Sequence, residues 1–442
     1  MIIAISLLLA TQAPAPLTQS NTLDLSLRAA IEQAQEFNPS LRAERAESDK
    51  AAAQAQEATP AFLPSIGVDM GFLRTNDPVA VFGLKLRQSN FQAEDLALDA
   101  LNSPDPYNGF NTVATVELPI FTAEGIFGHS AAKRAASARE AATARAAGAT
   151  TFFVTRAYWD AQLAARQVEA LESSLEAAQG HARQAEAMQQ QGLVTSLDAR
   201  LARVHAAGTE TQLLAAQAQA ENALSTLLTL LALPDGTPIT LTDSLVGSGS
   251  MVCDASAADC AIDNRGDIMA HRLGRDATSS AVKSAWGKNL PAIAAFGSYG
   301  YFGQTNFFGT GSGNWTVGIG LQWKLFRGLA GVGAVNKAKA EQRVAEARLE
   351  AAERGAQLEI TKTRRLLAAA TERVAVATLA TNEAQEALEQ ARLRYQTGAA
   401  PITELLDVQV AATSATLSLL SARRDLFLAQ AALDFAYGVN DR

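Results

Sequence analysis

The sequence predicts a mainly α fold with a four-stranded β portion, laid out as a duplicated helix-strand-strand-helix repeat. Three observations carry this reading. Proline is confined: none lies between Pro119 and Pro234, and only Pro401 follows Pro291. The Pro-free spans are rich in Ala, Glu, Gln and Arg, which reads as long helix. The two halves of the chain repeat each other's motifs. Four short segments alternate large apolar with small or polar residues, the period of a strand with two unlike faces.

Bulk composition narrows the function classes. The chain has 442 residues, 48% hydrophobic but only 6% aromatic, so alanine supplies much of the apolar count. Alanine favours helix and close helix contact but buries little area. That suits long thin helices better than a globular core. A net charge of −8 argues against a nucleic-acid partner. Beyond the N-terminus, no window reads as a membrane-spanning helix of roughly 20 apolar residues.

Residues 1–13 read as a secretory signal peptide: Ile2–Ala10 is apolar, and small residues follow, with cleavage near Ala13 or Ala15. The run lacks a basic start, and no cysteine follows it, so this reading has no N-terminal lipid anchor. The first repeat is expected over 14–233, with strands near 62–73 and 111–121 and helices near 128–190 and 197–232. Residues 234–262 join the repeats, and their close pair Cys253 and Cys260 suits a local disulfide in an exported protein. The second repeat is expected over 263–442, with strands near 290–303 and 313–326 and helices near 329–396 and 402–438.

The duplication is legible motif by motif. "FLPSIGVDMGF" (Phe62–Phe72) resembles "NLPAIAAFGSYGY" (Asn289–Tyr301), and "VELPIF" (Val116–Phe121) matches "QWKLF" (Gln322–Phe326). "QQGLVTSLD" (Gln190–Asp198) matches "QTGAAPITE" (Gln396–Glu404). The first inter-strand region, which includes "NSPDPYNG", is longer and reads as a loop insertion. In the long helices Val168, Leu171, Leu175, Ala178, Ala182 and Ala185 form a 3-4 seam of small residues, repeated by Val374, Ala377, Thr381, Ala384, Leu388 and Ala391. Such a seam predicts closely packed coiled-coil helices. Ser130 to Gln190 alone would run roughly 90 Å at 1.5 Å per residue, too long for a compact domain.

The strands carry the membrane argument. Trp315, Val317, Ile319, Leu321 and Trp323 alternate with Thr316, Gly318, Gly320 and Gln322. The two tryptophans are roughly 26 Å apart at about 3.3 Å per residue. A lipid-facing barrel band is about 25 Å tall between aromatic girdles. Tyr299 and Tyr301, with Phe307 and Phe308, supply a second interface cluster. A β-sandwich half would need more strands than four. Four strands cannot close a barrel, and open edges are not tolerated in hydrocarbon. Two chains would close eight strands and three would close twelve; this argument permits either.

The order and spacing of "NPSLRA" (Asn38–Ala43), "LPSI", "LPAI", "QGLVTSLD" and "YQTGAAPITELLDVQ" (Tyr395–Gln409) resemble the TolC-like outer-membrane efflux protein family across essentially the whole mature chain. The resemblance implies a homotrimer: a twelve-stranded outer-membrane barrel continued by a helical tunnel across the periplasm. It implies passive conduction of substrates delivered by an inner-membrane pump, of RND or ABC type, and a periplasmic adaptor (membrane fusion protein). It places adaptor docking at Gly192, Leu193, Gly398 and Ala399. It maps the acidic aperture onto Glu404 and Asp407, with Asp198 and Tyr395 as further gate residues. Six carboxylates around a trimer axis would favour cations. Where the family carries a basic gate partner, this chain has Ala400, which cannot pair with Asp198, so the latch must differ or be weaker. No cofactor is implied.

Two other classes were weighed. A soluble periplasmic coiled-coil scaffold or adaptor would share the heptads but has no use for a strand bounded by Trp315 and Trp323. An enzyme finds little support: His129, His181, His205 and His271 show no metal spacing, and no Gly-rich phosphate loop occurs.

Overall fold

The structure, a computed structural model, describes residues 23–245, 262–308, 312–326, 328–439 and 441. The expected signal peptide, Cys253 and Cys260 lie outside the described residues. In chain order the elements are β1 (Leu23–Leu25), α1 (Leu27–Phe37), α2 (Pro39–Glu57), β2 (Ser65–Thr75), α3 (Pro78–Arg87), α4 (Leu98–Asn102), β3 (Tyr107–Phe121), α5 (Ala123–Gln190) and α6 (Ser196–Leu230). Then follow β4 (Ile239–Leu241), α7 (Gly266–Gly287), β5 (Ala292–Gly303), β6 (Gly313–Gln322), α8 (Ala330–Gln396) and α9 (Ile402–Ala436). They fall into two compact units.

One unit gathers the described residues of 1–39, 149–251 and 363–433. All twelve seam residues expected in α5 and α8 are buried or half-buried there. At one place a parallel ribbon of β1 and β4, Leu23 opposite Ile239 and Leu25 opposite Leu241, lies on the helices. Tyr158 fastens it: its hydroxyl donates to the Leu25 carbonyl (3.0 Å) and lies 2.9 Å from Asp243 Oδ2, which also accepts the Leu27 N–H at 2.6 Å. Burial first, and then the Asp243 carboxylate, push the Tyr158 phenol up to about 12, against the Asp243 N–H that donates to it. Trp159 stacks on Phe427 at 4.3 Å. The "NPSLRA" stretch acquires a physical reason here. Asn38, which ends α1, sends its Nδ2 2.8 Å to the Leu230 carbonyl at the end of α6, and Pro39 opens α2.

α9 corrects one sequence expectation. By length and composition it is apolar enough to cross a membrane, with mean hydropathy 1.3 over its best stretch. The run from Val408 to Ala422 carries no charge. Its small polar residues are engaged within the unit: Thr413 Oγ1 lies 3.0 Å from Ser174 Oγ, and the Ala415 carbonyl accepts from Thr381.

The other unit gathers residues 40–148, the described residues of 252–362, and those of 434–442. It contains a four-stranded antiparallel sheet in the order β2-β3-β5-β6. Buried charges fasten the last residues to α7. Arg265, 3% exposed, pairs with Asp267 and Glu359, each at 2.8 Å. Asp441 Oδ2 accepts the Gly266 N–H at 2.9 Å and lies 3.3 Å from Arg145 Nη1. The insertion between β2 and β3 is helical rather than a plain loop. Asp77 caps α3 by accepting from the Ala80 N–H at 2.7 Å, and Pro78 takes the first turn, where its missing N–H costs nothing. Lys85 pairs with Asp95 at 2.6 Å. Gln88 donates to the carbonyls of Asn108 and Gly303, the ends of neighbouring strands.

Candidate functional site: two helix turns and an apolar sheet face

Both long-helix hairpins close with the same backbone device. At the α5–α6 turn, Gly192 (φ +74°) bonds its N–H to the Gln189 carbonyl, and Leu193 bonds to Met188. At the α8–α9 turn, Gly398 (φ +73°) bonds to Tyr395, and Ala399 bonds to Arg394. This is the Schellman pattern, in which glycine supplies the left-handed residue. The two turns meet at a hollow of about 460 Å3, lined by Gly192, Leu193, Asp198, Tyr395, Gly398 and Ala399. Six of the eight residues assigned to docking and gating are thus brought together. Glu404 and Asp407 do not line it.

Each acid has a distinct local setting. Asp198 closes a capping box: its Oδ2 accepts the Thr195 N–H at 2.9 Å, and Thr195 Oγ1 accepts from the Asp198 N–H. A carboxylate at that position satisfies an orphan donor and favours the helix dipole. Glu404 pairs with Arg394 at 2.7 Å across its own turn. Asp407 is exposed. The first hairpin has its own cross-helix pair, Arg203 with Glu186 at 3.5 Å. Sequence reading missed Arg394. It placed the family's basic gate partner at Ala400, where it would have faced Asp198; Arg394 lies six residues earlier, on the preceding helix, and pairs with Glu404. Tyr395 is 2% exposed among Ala182, Ala199, Ile402 and Leu405. Its hydroxyl has no hydrogen-bond partner among the described residues. Burial and then the nearby Asp198 charge raise its pKa.

Strand register sorts the sheet into two faces. Ile66, Val68, Met70 and Phe72 stand beside Val116, Ala114, Thr112 and Phe110. Those stand beside Gly297, Tyr299, Tyr301 and Gly303, and Trp315 and Val317 stand opposite Tyr299 and Gly297. Trp315, Val317 and Ile319 are each 74% exposed, Leu321 64% and Tyr299 61%. The other face carries Ser65, Asp69, Asn111, Thr115, Glu117, Ser298 and Thr316. Phe296 also points there, over Gly318, where a Cβ would come within 2.7 Å of its ring. Phe72, Phe110 and Phe307 form an aromatic ladder, with centroids 4.7 and 4.9 Å apart. β6 ends at Gln322, one residue before Trp323. The expected strand therefore stops short. Trp323 instead donates its indole N–H to the Asn289 carbonyl at 3.1 Å.

The family model described as "Outer membrane efflux protein" matches residues 30–233 and 257–439. The chain belongs to the outer membrane efflux protein family. This efflux protein is an outer-membrane channel that extends into the periplasm, and its family is one of channels rather than enzymes. The soluble-scaffold alternative falls with that assignment. Solved structures share the fold. A membrane protein from Pseudomonas aeruginosa is 20% identical, with TM-score 0.81, covering 95% of this chain and 91% of that one. The CmeC outer membrane channel of Campylobacter jejuni is 17% identical, with TM-score 0.81, covering 93% and 85%. VceC of Vibrio cholerae is 21% identical, with TM-score 0.77, covering 93% and 96%. No curated protein matches the sequence.

Proposed function

We propose that three copies of this efflux protein assemble around one axis into a twelve-stranded barrel that conducts substrates passively outward. One observation carries the reading. The sheet has an exposed apolar face, a polar face, and two edge strands, β2 and β6, each paired on one side only among the described residues. In hydrocarbon, such edges must be paired with those of another copy. Three copies leave room for a water-filled lumen, whereas eight strands would be filled by side chains.

A periplasmic adaptor docks at the Gly192–Leu193 and Gly398–Ala399 turns, and an RND- or ABC-type inner-membrane pump supplies the substrate. Tyr395 and Asp198 hold the aperture, and Glu404 with Asp407 set its charge. The Arg394–Glu404 pair takes the latch position that Ala400 cannot fill. The test is extraction from outer membranes followed by planar-bilayer recording. A heat-labile trimer with cation-selective conductance is expected. A monomer without conductance would refute the assembly.

A further inference from the structure

Immediately past β6 lies a hollow that the channel reading does not use. It holds about 580 Å3, and its walls include Trp286, Leu325, Phe326 and Leu329, with Lys324 and Lys339 also lining it. Leu325, Phe326 and Leu329 are all strongly exposed. Among the described residues, none that lines it is acidic, and neither lysine takes part in an ion pair. Lys339 Nζ lies 6.0 Å over the Trp286 ring. The Trp323–Asn289 hydrogen bond pins one wall to the start of β5. Val335, which also lines the hollow, packs with Val282, Ala285 and Ala338.

Position suggests the occupant. The hollow begins where the exposed stripe of Trp315, Val317, Ile319 and Leu321 ends, on the side of the sheet that leads into α8. In an outer-membrane sheet this is headgroup depth in the periplasmic leaflet. Tryptophan concentrates at that depth, and unpaired cations above an apolar slot match a phosphodiester above an acyl chain.

We propose that this hollow binds one anionic glycerophospholipid per chain. Its phosphodiester lies between Lys324 and Lys339, and an acyl chain lies along Leu325, Phe326 and Leu329. The proposal rests on the sheet being membrane-embedded as described above, and it would tie the channel to the inner leaflet at the base of the barrel.

Native mass spectrometry of the full-length channel tests it, with phosphatidylglycerol or phosphatidylcholine added in parallel. Retained phosphatidylglycerol adducts, counted per chain, should exceed phosphatidylcholine adducts. K324Q/K339Q should lower phosphatidylglycerol retention about ten-fold, and K324R/K339R should preserve it. Equal retention in K324Q/K339Q and the parent, or equal retention of the two lipids, would overturn the site. So would an intact trimer that takes up neither lipid, because a neighbouring chain then covers the hollow. The same spectrum reports the oligomer separately. Lipid-loaded monomers would refute the trimer while upholding the site.

Discussion

Arg394 reaches across the second helix turn to Glu404, Nη1 to Oε1 at 2.7 Å, and so joins the end of α8 to the start of α9. The pair is partly exposed, so screening limits it to roughly 0.2–1 kcal/mol. R394Q should loosen this turn and raise the open fraction in bilayer recordings, by about five-fold at most at low salt. A conductance unchanged from that of the parent would remove Arg394 from the latch.

Neutralising the acids should act on selectivity rather than assembly. E404Q/D407N is expected to leave the trimer intact and to lower cation over anion permeability, read as a shift in reversal potential under a salt gradient. Undiminished cation selectivity would dismiss the acidic aperture.

The capping device at the first turn should show in thermal unfolding. D198A removes the acceptor of the Thr195 N–H and should cost about 0.5–1.5 kcal/mol. G192A forces a Cβ into φ +74°, at a cost of about 1–2 kcal/mol. G398A should behave like G192A, since both turns share one geometry.

Face assignment on β6 is separable by one residue. I319R places a charge on the exposed apolar stripe and should cost about 2–4 kcal/mol near mid-membrane, abolishing the heat-labile oligomer in outer-membrane fractions. T316R lies on the opposite face and should leave assembly intact while reducing conductance. If both variants assembled equally well, the assignment of faces would be wrong.

A buried histidine, His181, and a half-buried one, His205, make the helical unit acid-sensitive. Burial, with the Arg392 and His205 charges, holds His181 below its usual pKa, against a raising hydrogen bond from Gln409. Burial alone lowers His205. Between pH of about 6.5 and the lowered folded values, the unfolded chain binds more protons. Stability should therefore fall as pH drops below about 6.5 and level off beneath the folded pKa values. Melting curves of H181Q should show a flatter dependence on pH.

Long-range regularities were legible in the sequence; local departures were not. The seam from Val168 to Ala185 and the alternation from Trp315 to Leu321 are periodic, and packing enforces them over many residues. The β1–β4 ribbon is two three-residue strands, too short for any period to register. α3 carried a readable signal, Asp77 before Pro78, but the proline-rich "NSPDPYNG" that follows obscured it. The end of β6 at Gln322 is followed by a tertiary bond, Trp323 to Asn289, that no alternation encodes. At the two helix turns, the positions of Gly192 and Gly398 followed from repeat matching. The Arg394–Glu404 pair spans a turn, and its partners meet only after both helices have formed.

The helical insertion between β2 and β3 has a consequence at the cell boundary. It caps the strand ends away from the long helices, held by Lys85–Asp95 and by Gln88 on two strand carbonyls. In the barrel proposed above, an antibody or a phage arriving from outside would meet this helical relief. Binders raised against α3 should therefore depend on its shape, and would lose their grip if Asp77 could no longer start the helix.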